Sequence, residues 1–193
     1  MNRSIIKIEN QLKEFVGHDC TSISFAIMKN CGEKYHRNAS SSYHETTWGT
    51  VFGFKNLKPL VFTWGENSSY GDPFYTEITD YDSFVQIKTL QLQDVSEFQP
   101  WSQFIGSQLN SIDLLTYKTN YPSNINTGWY QVLWAIELQF AVGDILVGAL
   151  HHGDFESYKS AADEMVTICD PELIKRVKLS RRNQTVEWMS SRK

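Results

Sequence analysis

At 193 residues, with 41% hydrophobic and 13% aromatic side chains, the chain can bury a sizeable core, which excludes a disordered polypeptide. A net charge of −4 excludes the broadly basic surface of a general nucleic-acid binder. No apolar run approaches the length of a membrane span, so no membrane partner is expected.

Taken in chain order, Ile5, Ile8, Leu12 and Phe15 fall at helical spacing and predict a helix over residues 4–16, with Ser4 as N-cap and Gly17 closing it. Residues 22–29 alternate, with Ile23, Phe25 and Ile27 on one side, and read as a strand. Asn30 to Thr46 is polar and Ser-rich and reads as a long loop. Trp48 to Phe54 and Leu60 to Trp64 predict a strand pair, and Glu66 to Asp72 a turn-rich loop. Tyr75 to Ile78 reads as a short strand. A second alternating run follows at Val85, Ile87, Leu90 and Leu92, then a helical turn between Asp94 and Phe104.

Leu109 to Tyr117 predicts a further strand. The most legible segment is Val132 to Leu150, an antiparallel hairpin. There Trp134, Ile136, Leu138 and Phe140 share one face against Ala135, Glu137 and Gln139, and Ile145, Val147 and Ala149 resume after Gly143-Asp144. His151 to Ala162 reads as a loop, Met165 to Ile168 as a short strand, and Pro171 to Leu179 as a helix with Pro171 in its first turn.

Few helices and many short strands predict an α+β fold: mostly antiparallel β-sheet, with an N-terminal helix and a short C-terminal helix. One domain is expected over 1–180, or two sheet lobes meeting near Pro100, followed by a basic tail over 181–193. Seven of the 18 basic residues fall between Lys175 and Lys193, which leaves the rest of the chain acidic. Cys20, Cys31 and Cys169 cannot all pair with one another, and no apolar signal core follows Met1. A reducing, cytoplasmic setting is therefore expected.

Chemistry-bearing motifs are sparse. His151-His152-Gly153-Asp154, with Glu156 close by, follows an apolar strand. His151, His152 and Asp154 are the candidate ligands or acid–base groups of a small metal-dependent or acid/base enzyme. Adjacent histidines on a strand point to opposite faces, however, so joint ligation needs a loop bend. His18, Cys20, Cys31, His36 and His44 match no zinc-ligand spacing. The acidic pairs Asp80/Asp82 and Asp94/Glu97 suit turns and caps. Of six tryptophans, Trp48 and Trp64 lie at strand ends, where an exposed ring would stack on a sugar or small ligand or anchor a protein partner.

The pattern Trp101-Ser-Gln-Phe-Ile-Gly106, then strand, the hairpin Ile136 to Val147, and Asp163-Glu-Met-Val-Thr-Ile-Cys-Asp170 resembles a loose group of small bacterial proteins, among them immunity partners of polymorphic toxins. The resemblance runs from about Trp101 to Leu173. It implies a non-enzymatic protein that blocks a partner, often a toxin domain, and transfers no catalytic set. The acidic body of the chain suits a basic partner. The expectation is a cytoplasmic protein-binding module without a cofactor, using Asp154, Glu156, Trp48 and Trp64 at its partner surface. Exposed edge strands also allow a homodimer.

Overall fold

The computed structural model describes residues 3–29, 41–65, 75–119, 129–149, 165–181 and 185–186. Two sheets face each other. The first runs β5(Tyr75–Thr79), β4(Leu60–Gly65), β3(Gly49–Phe54), β1(Cys20–Met28), β6(Leu90–Asp94). The second runs β11(Thr185–Val186), β7(Leu109–Thr119), β8(Tyr130–Phe140), β9(Gly143–Ala149), β10(Met165–Ile168), β2(Tyr43–Thr46). Every pairing is antiparallel except that of β11 with β7. With the N-terminal helix α1(Arg3–Lys13) and the C-terminal helix α3(Pro171–Arg181), the fold is α+β, as the alternation of apolar residues predicts.

The two sheets share one buried cluster. Ile23, Phe25 and Ile27 of β1 and Phe52 and Phe54 of β3 meet Ile136, Leu138, Ile145 and Val147 of β8 and β9. Ile5 and Leu12 of α1 join the same cluster, which explains their helical spacing. Trp101, one residue after Pro100, is fully buried within it, in a 3-10 turn at Trp101–Phe104. Across this interior the hydroxyls of Thr50 and Thr167 lie 2.6 Å apart, so each buried polar atom answers the other. Outside the second sheet, Leu173, Ile174 and Val177 of α3 pack on Trp134, Leu146, Val166 and Ile168.

Helix α1 spans Arg3–Lys13, so Ser4 lies within it rather than at its cap and residues 14–17 form a turn; three further local readings of the sequence are corrected. β2 falls in the segment that reads as loop. Its inward side chains, His44 and Thr46, are polar, so an apolar alternation never appears; His44 instead stacks on Phe25, with ring centroids 4.4 Å apart. Val85 and Ile87 do not belong to a strand with Leu90 and Leu92. Asp80 accepts a hydrogen bond from the Ser83 backbone N–H at 3.0 Å and caps the one-turn helix α2(Tyr81–Phe84), and the strand begins only at Leu90.

The last correction lies within the hairpin. Leu115 pairs with Ala135 and Thr116 with Leu133, which leaves Trp134 as an extra residue in β8. The bulge turns Trp134 away from Ile136 and Leu138 and toward α3. The Trp134 carbonyl accepts a hydrogen bond from Thr76 Oγ1 at 2.8 Å, and Thr76 Oγ1 in turn accepts from the Ala149 N–H at 3.1 Å.

Candidate functional site

Asp170 begins α3: its Oδ1 accepts from the Leu173 N–H at 3.0 Å, and Pro171 occupies the first helical position, where a missing N–H costs nothing. Held there, the helix leaves a cleft of about 730 Å³ between itself and strands β7 to β9. That volume lies within the range of ligand-binding clefts, about 300–1,000 Å³. Leu114, Leu115 and Trp134 supply apolar wall from the sheet, and Ile174 and Leu179 supply it from the helix. Leu179 is 56% exposed, a large apolar side chain left at the mouth.

Charge is arranged in a definite order. Glu137, only 2% exposed, accepts a hydrogen bond from Lys178 Nζ at 2.5 Å. Asp113 of β7 sits directly opposite Glu137 in the strand register. Like charges so placed repel, and each is answered separately: Glu137 by Lys178, Asp113 by Gln139 Nε2 at 3.1 Å. The Ser111 hydroxyl donates to Gln139 Oε1, which fixes the amide orientation. Asp144 and Lys175 complete the polar lining.

His151, His152, Asp154 and Glu156 fall outside the described residues. Trp48 is half-buried against the outer face of the first sheet, beside Val51 and Phe84. Trp64 is half-buried against the main core, and its Nε1–H donates to the Thr47 carbonyl at 2.8 Å. Neither Trp48 nor Trp64 lines the α3 cleft. Trp129, 52% exposed just before β8, is the most exposed tryptophan among the described residues. Sequence reasoning missed it, since nothing local separates a rim indole from a core one. Glu137 was missed for a different reason: its alternation with Ile136 and Leu138 reads as a water-facing position, and only α3 buries it.

Other reactive side chains have structural partners. Burial pushes the thiols of Cys20 and Cys169 up to about 12, which leaves both protonated at neutral pH. Asp94 accepts from the Ser96 N–H at 2.8 Å as a turn residue, and Asp82 pairs with Lys58 at 2.8 Å on the surface. Among the described residues, no group of three or more His, Cys, Asp or Glu side chains is arranged to hold a metal ion. Among the described residues, no helix is long and apolar enough to cross a membrane. Comparison with protein-family models, with curated proteins and with solved structures finds no match to this chain.

Proposed function

We propose that this chain is a non-enzymatic protein-binding module of the immunity type, which seats part of a partner protein at the α3 cleft. The observation that carries this reading is the state of the cleft's buried charge. Its enclosed carboxylate, Glu137, is already engaged by Lys178, while apolar surface at the mouth stays open at Leu179. A general acid or base needs a free proton-transfer position. A docking surface needs an apolar anchor with charged groups near it, and exposed Leu179 shares the cleft with Lys175 and Lys178. Helix α3 is itself basic, with Lys175, Arg176, Lys178 and Arg181, so a basic partner, such as a toxin domain whose own site is cationic, is matched by the acidic sheet side of the cleft at Asp113 and Asp144 rather than by the helix.

The test places a photo-crosslinking amino acid at position 179 and exposes the protein to lysate of its native host. One stoichiometric partner should crosslink, and its purified form should bind the unmodified chain. Leu179→Asp should abolish that binding. If the partner is a toxin domain, its expression alone should arrest growth and co-expression of this chain should restore it. Absence of any stoichiometric crosslink, or binding indifferent to Leu179→Asp, would sink the reading.

A further inference from the structure

A strand at the rim of a sheet presents a row of backbone donors and acceptors that only water or another strand can satisfy. Here β2, β5 and β6 lie at rims and are four or five residues long. β7 has eleven residues, and among the described residues only its ends have backbone partners on the outer side. At one end Leu109 exchanges backbone hydrogen bonds with Gly17 and His18, at 2.8 and 3.0 Å. At the other, Lys118 and Thr119 pair with β11. Between them Ser111 to Leu115 forms a regular run against β8, framed by the irregularities at Asn110 and Trp134. Among the described residues, no backbone group is hydrogen-bonded to the outer rim of this run.

The side chains of the run suit a guest on both faces. Ile112 and Leu114, half-buried, pack on the main core. On the opposite face Leu115 opens onto the α3 cleft, and Asp113 is exposed. A strand laid along the rim covers the first pair and sends alternate side chains toward the second face.

Charge selects the guest. Antiparallel pairing of two copies of this run would set the two Asp113 carboxylates against or close to each other, beside Glu137, and like charges on neighbouring strands are unfavourable. A cationic residue at that position removes the repulsion. We propose that the outer rim of β7, over Ser111 to Leu115, is a strand-docking site for an extended segment of a partner protein carrying Lys or Arg opposite Asp113. This inference rests on the protein-binding reading and names the part of the partner that binds.

The test uses two blocked octapeptides, alternating Val-Lys and alternating Val-Glu, with amide hydrogen exchange and NMR shifts as readouts. The lysine peptide should bind saturably and protect amides between Asn110 and Thr116, and the glutamate peptide should bind about threefold or more weakly. Asp113→Lys should reverse the preference while leaving the spectrum of the rest of the chain in place. No protection at β7, protection elsewhere, or equal binding of both peptides would overturn the proposal. The outcome is separable from the crosslinking test: a partner captured at Leu179 that leaves β7 amides unprotected removes the strand site and spares the binding module. A lysine peptide that docks while nothing crosslinks at position 179 does the reverse.

Discussion

Glu137 is a carboxylate that the fold has enclosed rather than one the sequence marks for enclosure. Taking it out of water is unfavourable unless its charge is answered, and Lys178, itself partly exposed, is the group that answers it. Lys178→Met leaves the carboxylate buried beside methylene groups. Because water still reaches one side of the pair, the expected loss is about 1–3 kcal/mol, below the ~3–5 kcal/mol seen when fully buried pairs are broken. Glu137→Leu combined with Lys178→Met should recover most of that loss. Urea midpoints of the two single variants and the double variant check this, and an unmoved midpoint for Lys178→Met would mean the pair contributes nothing to stability. The cysteines make a complementary case. Their thiols are raised from 9.0 to about 12 by burial, so the native state holds protons that the unfolded chain gives up sooner. That contribution to stability is complete below pH about 9 and is lost as pH rises from about 9 toward 12. In a Cys31→Ser background, neither native thiol should react with a disulfide reagent at pH 8, and the melting temperature should fall steeply above pH 9. Replacing Cys20 and Cys169 with Ser as well should flatten that fall.

The bulge in β8 is the feature on which the second sheet turns. Without the extra residue, Trp134 would enter the main core behind Ile136, and α3 would lose the largest side chain it packs on. The bulged backbone is held from across the sandwich: Thr76 donates to the Trp134 carbonyl and accepts from Ala149. Thr76→Val keeps the shape and leaves both backbone groups buried without that partner, at an expected cost of about 1–3 kcal/mol, whereas Thr76→Ser should cost less than half as much. Gly148 is fixed by the same geometry. A Cβ there would lie 2.7 Å from the Ala135 Cβ and 2.8 Å from the Trp134 carbonyl oxygen, and neither can swing away. Gly148→Ala should therefore destabilise by about 1–3 kcal/mol in the same urea assay. Against these details, the elements readable in advance were those with recurrent inward apolar residues: α1, β1, the β3–β4 pair, β5, β7, the β8–β9 hairpin apart from its bulge, β10 and α3. β2 was unreadable because its inward residues are His44 and Thr46. The face of Trp134 was unreadable because a one-residue insertion in pairing leaves no mark on composition. The cleft shares that fate, since it forms between elements whose sequences describe only their own periods.

At the scale of the molecule, the question is whether the two sheets and α3 unfold together. The main cluster draws on both sheets and on α1, and two buried hydroxyl contacts, Thr50 to Thr167 and Thr76 to the β8 bulge, cross the same interface. Exposing one sheet would strip the apolar face of the other and leave these polar groups unpaired in the partner layer, which penalises any half-folded state. The tryptophans report on each layer separately: Trp48 on the outer face of the first sheet, Trp101 between the sheets, Trp134 beneath α3. Three variants, each retaining one of these indoles with the other five tryptophans replaced by Phe, allow the layers to be followed one at a time. In each variant the fluorescence midpoint in urea should coincide with the midpoint from far-ultraviolet circular dichroism, because the shared core makes loss of one layer the loss of all. A Trp134 transition that precedes the dichroism change would show α3 and its cleft detaching first, and the docking surface would then be a separately stable layer rather than part of one cooperative core.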